Sequence, residues 1–360
     1  MSVRALRRER VVDFGTNALA LLRGSSGFGR QEGAASMQAD IAQAIADRAE
    51  MGHAGKHPEG GSTGQTFEEM RFTTRDGLRL YARRYRARMD CNRRPVLCLA
   101  GLTRNSRDFH VMATVLAGHG QAPRDVYTLD TRGRGQSEHD KDWRNYSVPV
   151  EMLDALDFMT CCELVDVAVV GTSRGGLIAM VMAAAQPSAI GAVVLNDIGP
   201  VIETDGLLRI AGYVGRTPAP MSWEHAGQIA QELNRRHFPN VTAEGWREIA
   251  RQWFNEKNGR PVPSYDPKLN RALSVLEGPM PQLWPQFGAL RRLPAMVIRG
   301  ANSDLLSAET VARMSERHPA LVAHIVPGEG HAPLLHDAPT LEAIDAFLVS
   351  ADDTYRHTAV

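Results

Sequence analysis

The chain has 360 residues, of which 43% are hydrophobic, and its 41 basic and 41 acidic residues cancel. That length suits one large α/β domain carrying an insertion, while zero net charge speaks against broad electrostatic attraction to nucleic acid or an anionic membrane. No apolar run approaches the ~18 residues of a membrane span.

Residues 1–65 differ from the rest. They begin rich in arginine around a short apolar segment at 18–22, continue through a helical pattern from Met37, and end in a glycine-rich linker at 52–64. The apolar segment is short for a signal-peptide core and no convincing cleavage site follows it, so a poorly ordered extension is expected. Order is expected from about residue 66, with a hairpin whose arms, 71–74 and 78–81, flank Asp76-Gly77, a dipeptide suited to a tight turn. Short apolar strands then recur at 96–99, 126–129, 167–170, 192–195, 296–298 and 323–326, with helical patterns between most of them, as at 109–117, 150–159 and 308–315. That alternation predicts a mostly parallel sheet with helices on both faces. An α/β core is thus expected over 66–200 and 291–350, with a tail at 351–360. Between 201 and 290 no strand is evident and aromatic residues recur, which predicts a mostly helical inserted cap. Trp223, Trp246 and Trp253 in this cap are expected to line a substrate pocket. The four cysteines, Cys91, Cys98, Cys161 and Cys162, form no C-x-x-C pair. Reduced thiols in a cytoplasmic protein are the expectation. His331 and His336 lack accompanying ligands at metal spacing, so no metal is expected.

The chemistry is carried by GTSRGG at 171–176, a G-x-S-x-G pattern between a predicted strand and a predicted helix. Alone the pattern is weak, but that context is what a nucleophile elbow requires. A serine hydroxyl needs a base, and the base needs an orienting acid. His331 lies in a glycine-rich loop after the last predicted strand, and Asp304 in the loop after the strand before it. Both loops leave the sheet at the edge where Ser173 stands. Asp197 also leaves a strand at that edge and is the alternative acid. For the oxyanion, the backbone N–H of Arg174 is one natural donor and that of Leu102, in the loop after 96–99, the second. Asp130 precedes an arginine- and glycine-rich turn that reads as structural, built around a buried ion pair. Arg104, Arg107 and Arg174 are candidates to meet a substrate carboxylate.

With AGLTRNSRDF at 100–109, LDTRGRGQSE at 129–138, LNDIGP at 195–200, RGANSD at 299–304 and GEGHAP at 328–333, the chain over about 66–350 resembles the α/β-hydrolase fold family. The resemblance implies Ser173 as nucleophile, His331 as base, Asp304 as acid, Leu102 and Arg174 as oxyanion donors, and 201–290 as the cap. One departure is Ala100, where many members have histidine. A serine at the elbow argues against dehalogenase or epoxide-hydrolase chemistry, which use a carboxylate nucleophile in this family. The expected activity is hydrolysis of a small, partly apolar carboxylic ester through an acyl-enzyme, without a cofactor. Lactone, thioester, amide or C–C bond hydrolysis would use the same triad. A slow-turnover ligand-binding protein and a scaffold whose cap binds a partner are the readings from other classes.

Overall fold

The computed structural model describes residues 66–89, 92–118, 122–274 and 282–358. The extension expected over 1–65 and Cys91 lie outside the described residues. Strands β1 (Glu68–Thr73) and β2 (Arg79–Tyr85) form the expected antiparallel hairpin. Its turn sets Gly77 at φ +88°, which only glycine adopts without steric cost.

Strands β3 (Val96–Leu99), β4 (Val126–Asp130), β5 (Val167–Thr172) and β6 (Ile190–Asn196) follow. After a long insertion containing β7 (Phe254–Lys257) and β8 (Arg260–Pro263) come β9 (Ala295–Gly300) and β10 (Val322–Val326). Eight of these make one sheet in the order β1-β2-β4-β3-β5-β6-β9-β10. The hairpin joins antiparallel through β2 and β4, and every pair beyond β4 is parallel.

Side chains alternate across this sheet, as the pleat demands. Leu97, Leu99, Val169, Val193, Leu195 and Val297 enter one buried cluster with helices α2 (Val148–Cys161) and α3 (Arg174–Ala185). Val96, Cys98, Ala168, Val194, Met296 and Ile298 enter the other, with α1 (His110–Gly118) and α10 (Ala338–Thr358). Both faces are therefore covered, as expected for short apolar strands. Cys98 is buried in the second cluster, and Cys161 and Cys162 are free thiols at the end of α2. Helix α10 runs through 351–358, where the sequence suggests a tail.

Between β6 and β9 lie α4 (Thr204–Tyr213), α5 (Trp223–Asn234), α6 (Ala243–Trp253), α7 (Leu269–Ser274) and α8 (Trp284–Ala289), while α9 (Ala308–Arg317) links β9 to β10. Ser222 and Thr242 cap α5 and α6, each side-chain oxygen accepting from the backbone N–H three residues on. Ala230, Phe238, Trp246 and Ile249 give this segment a small core of its own. It is not strandless: β7 and β8 pair antiparallel around Asn258-Gly259 at φ +54° and +73°. Asn-Gly is the preferred pair for a two-residue turn with both central φ positive.

Candidate active site

Ser173, Asp197 and His331 stand beyond the C-terminal ends of parallel strands β5, β6 and β10. Ser173 follows β5 at φ +51° and opens α3. A non-glycine residue in that region carries strain of order 1–3 kcal/mol, held by its surroundings. A Cβ at Gly175 would fall 1.9 Å from the carbonyl oxygen of Leu99, and one at Gly171 2.5 Å from the Gly175 backbone. Only glycine on either side lets the chain turn this tightly.

His331, on the loop after β10, faces the serine, with Nε2 2.9 Å from Ser173 Oγ. Its other nitrogen, Nδ1, lies 2.8 Å from Asp197 Oδ2. Asp197 follows β6 at φ +55° and is fully buried. Its carboxylate also accepts from Gly300 N at 2.8 Å and from the Ser303 hydroxyl at 2.5 Å. The expected pairing of His331 with Asp304 is therefore not what the structure brings together. Asp304 turns outward to the insertion, where Arg209 on α4 grips it with two nitrogens at 2.6 and 2.9 Å and His237 Nε2 stands 3.8 Å away. Burial pushes the Asp304 carboxyl up, but Arg209 and His237 outweigh it and hold it below the ordinary carboxylate range. Asp197, the alternative in the sequence, occupies the place beside the imidazole.

Leu102 and Arg174 flank Ser173. Arg174 is the first residue of α3, where a backbone N–H has no intrahelical acceptor. The Leu102 N–H donates to no group among the described residues, whereas Arg104 N two residues on bonds Gly101 O at 3.1 Å. The side chain of Arg174 is engaged elsewhere, by Glu151 at 2.6 Å and the carbonyl of Tyr146 at 2.9 Å.

Above Ser173 lies a cavity of about 130 Å³ between the sheet edge and the insertion. Trp246 and Trp253 line it, with Ile210, Tyr213, Phe238 and Tyr265. Trp223 does not; it packs under the guanidinium of Arg251, 5.0 Å from the ring centre. Arg104 lines the cavity, 3.6 Å above the ring of Trp253, and is paired with Asp108 at 2.7 and 2.9 Å. Burial lowers its pKa and Asp108 opposes that. Arg107 is bonded to the carbonyls of Gln252 and Phe254 and to Asn255, tying the loop after β3 to the insertion. None of the three arginines is left waiting for a carboxylate. Asp130 is held by backbone N–H groups of Ser106 and Gln136, while Arg132 pairs with Asp154 and Asp140 and Arg134 with Glu151. The turn does carry buried ion pairs, two of whose partners, Glu151 and Asp154, lie on α2 and were not marked by the sequence.

Among the described residues no group of three or more His, Cys, Asp or Glu side chains is placed to hold a metal, and no helix is long and apolar enough to cross a membrane.

A family model for the alpha/beta hydrolase family matches residues 96–344. The chain is 32% identical over 269 residues to a 3-hydroxybutyrate-oligomer hydrolase of Cupriavidus necator, covering 72% of this chain and 90% of that one. It is 26% identical over 267 residues to an sn-1-specific diacylglycerol lipase of Xenopus tropicalis, covering 71% and 78%. Among solved structures, an alpha/beta hydrolase from Novosphingobium aromaticivorans matches with a TM-score of 0.74 and 37% identity, over 79% of this chain and 99% of that chain.

Proposed function

The chain belongs to the alpha/beta hydrolase family, and on that footing we propose that it acts on ester bonds, as a serine hydrolase of short, partly apolar carboxylic esters. The observation that carries this reading is the unbroken line of hydrogen bonds Ser173–His331–Asp197, 2.9 and 2.8 Å long. Ser173 Oγ attacks the ester carbonyl as His331 Nε2 takes the hydroxyl proton. Asp197 holds Nδ1–H and balances the imidazolium. The oxyanion sits between the N–H groups of Leu102 and Arg174, donors worth about 10²–10³ in rate each. Collapse of the intermediate breaks the C–O bond, and the alcohol leaves with the proton from Nε2. Water, deprotonated by the same nitrogen, then releases the acid and restores Ser173.

The segment from 201 to 290 acts as a cap that closes the acyl site. A volume of about 130 Å³ is near that of an engineered apolar cavity, about 150 Å³, that takes up benzene. A buried group of four to six carbons fits such a space. The relative named as a 3-hydroxybutyrate-oligomer hydrolase supports a short hydroxyacid ester as the natural type. A fluorophosphonate probe should label Ser173, and turnover of p-nitrophenyl esters should peak at four to six acyl carbons. Ser173→Ala should abolish labelling and lower turnover by about 10³-fold or more. An unlabelled Ser173 with an unchanged rate in the variant rejects the reading.

A further inference from the structure

One buried charge network has no part in the reaction as written above, yet it ends on both oxyanion residues. Glu151 on α2 is fully buried. Its Oε1 accepts from Arg134 Nη1 at 2.7 Å and from Arg174 Nη2 at 3.1 Å, and its Oε2 accepts from Arg174 Nε at 2.6 Å. Arg134 is buried as well, and its Nε donates to the carbonyl of Leu102 at 2.8 Å while Nη1 also reaches the carbonyl of Arg132 at 2.7 Å. One carboxylate thus stands between the two residues whose N–H groups face the developing charge. Burial alone would push Glu151 toward its neutral form, but Arg134 and Arg174 outweigh it and keep its pKa below the ordinary range.

One arginine would suffice to neutralise Glu151. Bringing a second cation out of water beside it adds a desolvation cost, and that second cation belongs to the residue next to Ser173. A purely structural pair would not need it. Oxyanion donors, by contrast, act only within 2.7–3.1 Å of the oxygen they stabilise. Leu102 sits in a loop outside any strand or helix, closed by the Arg104 N–Gly101 O bond, and the Arg134 side chain adds the bond that ties this loop toward Glu151 and the start of α3.

We infer that Glu151 is a positioning residue that fixes the spacing of the two oxyanion donors, acting on Leu102 through Arg134 and on the start of α3 through Arg174. The inference rests on the serine-hydrolase reading. A shift of about 1 Å in such a constellation can cost about 10²-fold in rate. The effect belongs in the transition state, so it should appear in kcat and not in KM.

Arg174→Gln is the primary variant, because it leaves the Arg134–Glu151 pair whole; Arg174→Lys keeps the charge, and Glu151→Gln removes the centre. Each is assayed with p-nitrophenyl butyrate, then with an alkyl trifluoromethyl ketone, whose serine adduct carries an oxyanion, and with the matching secondary alcohol, which does not. Arg174→Gln should lower kcat about 10- to 100-fold, with KM within about twofold. The ketone should weaken by the same factor as kcat and the alcohol should keep its affinity. Arg174→Lys should recover part of both losses. Glu151→Gln should repeat the pattern more strongly; should that variant fail to fold, Arg174→Gln decides alone. An unchanged kcat in folded Arg174→Gln, or equal weakening of ketone and alcohol, overturns the inference. A wild-type enzyme indifferent to the ketone, together with a fully active Ser173→Ala, marks failure of the underlying reading and takes the inference with it.

Discussion

Two aspartates compete for one role at this site, and their surroundings separate them. Asp197 receives three donors, from His331, Gly300 N and the Ser303 hydroxyl, inside a fully buried pocket. Asp304 receives Arg209 from the insertion. Asp197→Asn should therefore lower kcat by about 10³–10⁴-fold, since an amide in that place favours the wrong imidazole tautomer. Asp304→Asn should leave kcat within about threefold and act on KM and thermal stability, because it loosens α4 from the loop after β9. Steady-state kinetics on a short p-nitrophenyl ester checks both; a larger kcat loss from Asp304→Asn rejects the assignment. The pairing of Ser173 with His331 was legible in the sequence because glycines crowd both loops and the strand-turn-helix context is local. The carboxylate beside the imidazole was not. Asp197 and Asp304 both leave parallel strands at the same edge, so their order and spacing suit either, and only the direction in which each loop turns decides. A faint signal existed in Asn196-Asp197, since Asp tolerates the left-handed backbone found there at φ +55°.

Among elements, the loop from Glu329 to Leu334 that presents His331 carries its own titration. The Glu329 carboxylate accepts the Leu334 N–H at 2.8 Å, with His336 Nε2 3.9 Å away. Burial pushes its pKa up to about 7 from 4.5; the Leu334 N–H pulls the other way and Asp337 adds to the rise. The folded state therefore keeps a proton that the unfolded chain loses near pH 4.5. Stability is full below that pH and falls as pH rises toward 7, by about 3 kcal/mol at most. Glu329→Gln removes this slope. Urea unfolding of both proteins at pH 5 and pH 8 should show the wild type losing about 2–3 kcal/mol relative to the variant. Parallel behaviour of the two proteins would falsify the assignment of the slope to Glu329. The element map itself was largely readable, because short apolar runs between turn residues become buried parallel strands. The exceptions were β7 and β8, where FNEK is mostly polar and RPVP carries two prolines, so neither shows an apolar pattern, although Asn258-Gly259 between them is a strong turn signal. Helix α10 also runs into the expected tail beyond 350, since the polar residues after Ala351 continue it without a breaker.

For the molecule as a whole, the pocket is a joint product of two segments distant in sequence, and that is why its lining was the least legible part. Asn105 Nδ2 bonds Gln252 O and Ser264 Oγ, Arg107 bonds the Gln252 and Phe254 carbonyls, and Asn255 Nδ2 bonds Gly135 O. These contacts turn Trp246 and Trp253 toward Ser173 and leave Trp223 outside, a distinction that aromatic spacing along the chain cannot make. The same view bears on how much of the chain the fold needs. Among the described residues, the eight sheet strands, both helical layers and the site lie between 66 and 358. The first described side chain with a packing role is Phe67, buried beside Tyr85 with the guanidinium of Arg83 4.1 Å above its ring. Burial of such a ring contributes about 1.5–3 kcal/mol. A chain beginning at residue 66 should keep its melting temperature within a few degrees and its ester turnover within about twofold. One beginning at residue 75 loses Phe67 and all of β1, leaves β2 as a bare edge strand prone to pairing with other chains, and should melt markedly lower or aggregate. Thermal melts with parallel p-nitrophenyl ester assays distinguish the two cuts. If the shorter deletion alone abolishes turnover, residues 1–65 contribute to the site and the fold described here is not self-sufficient.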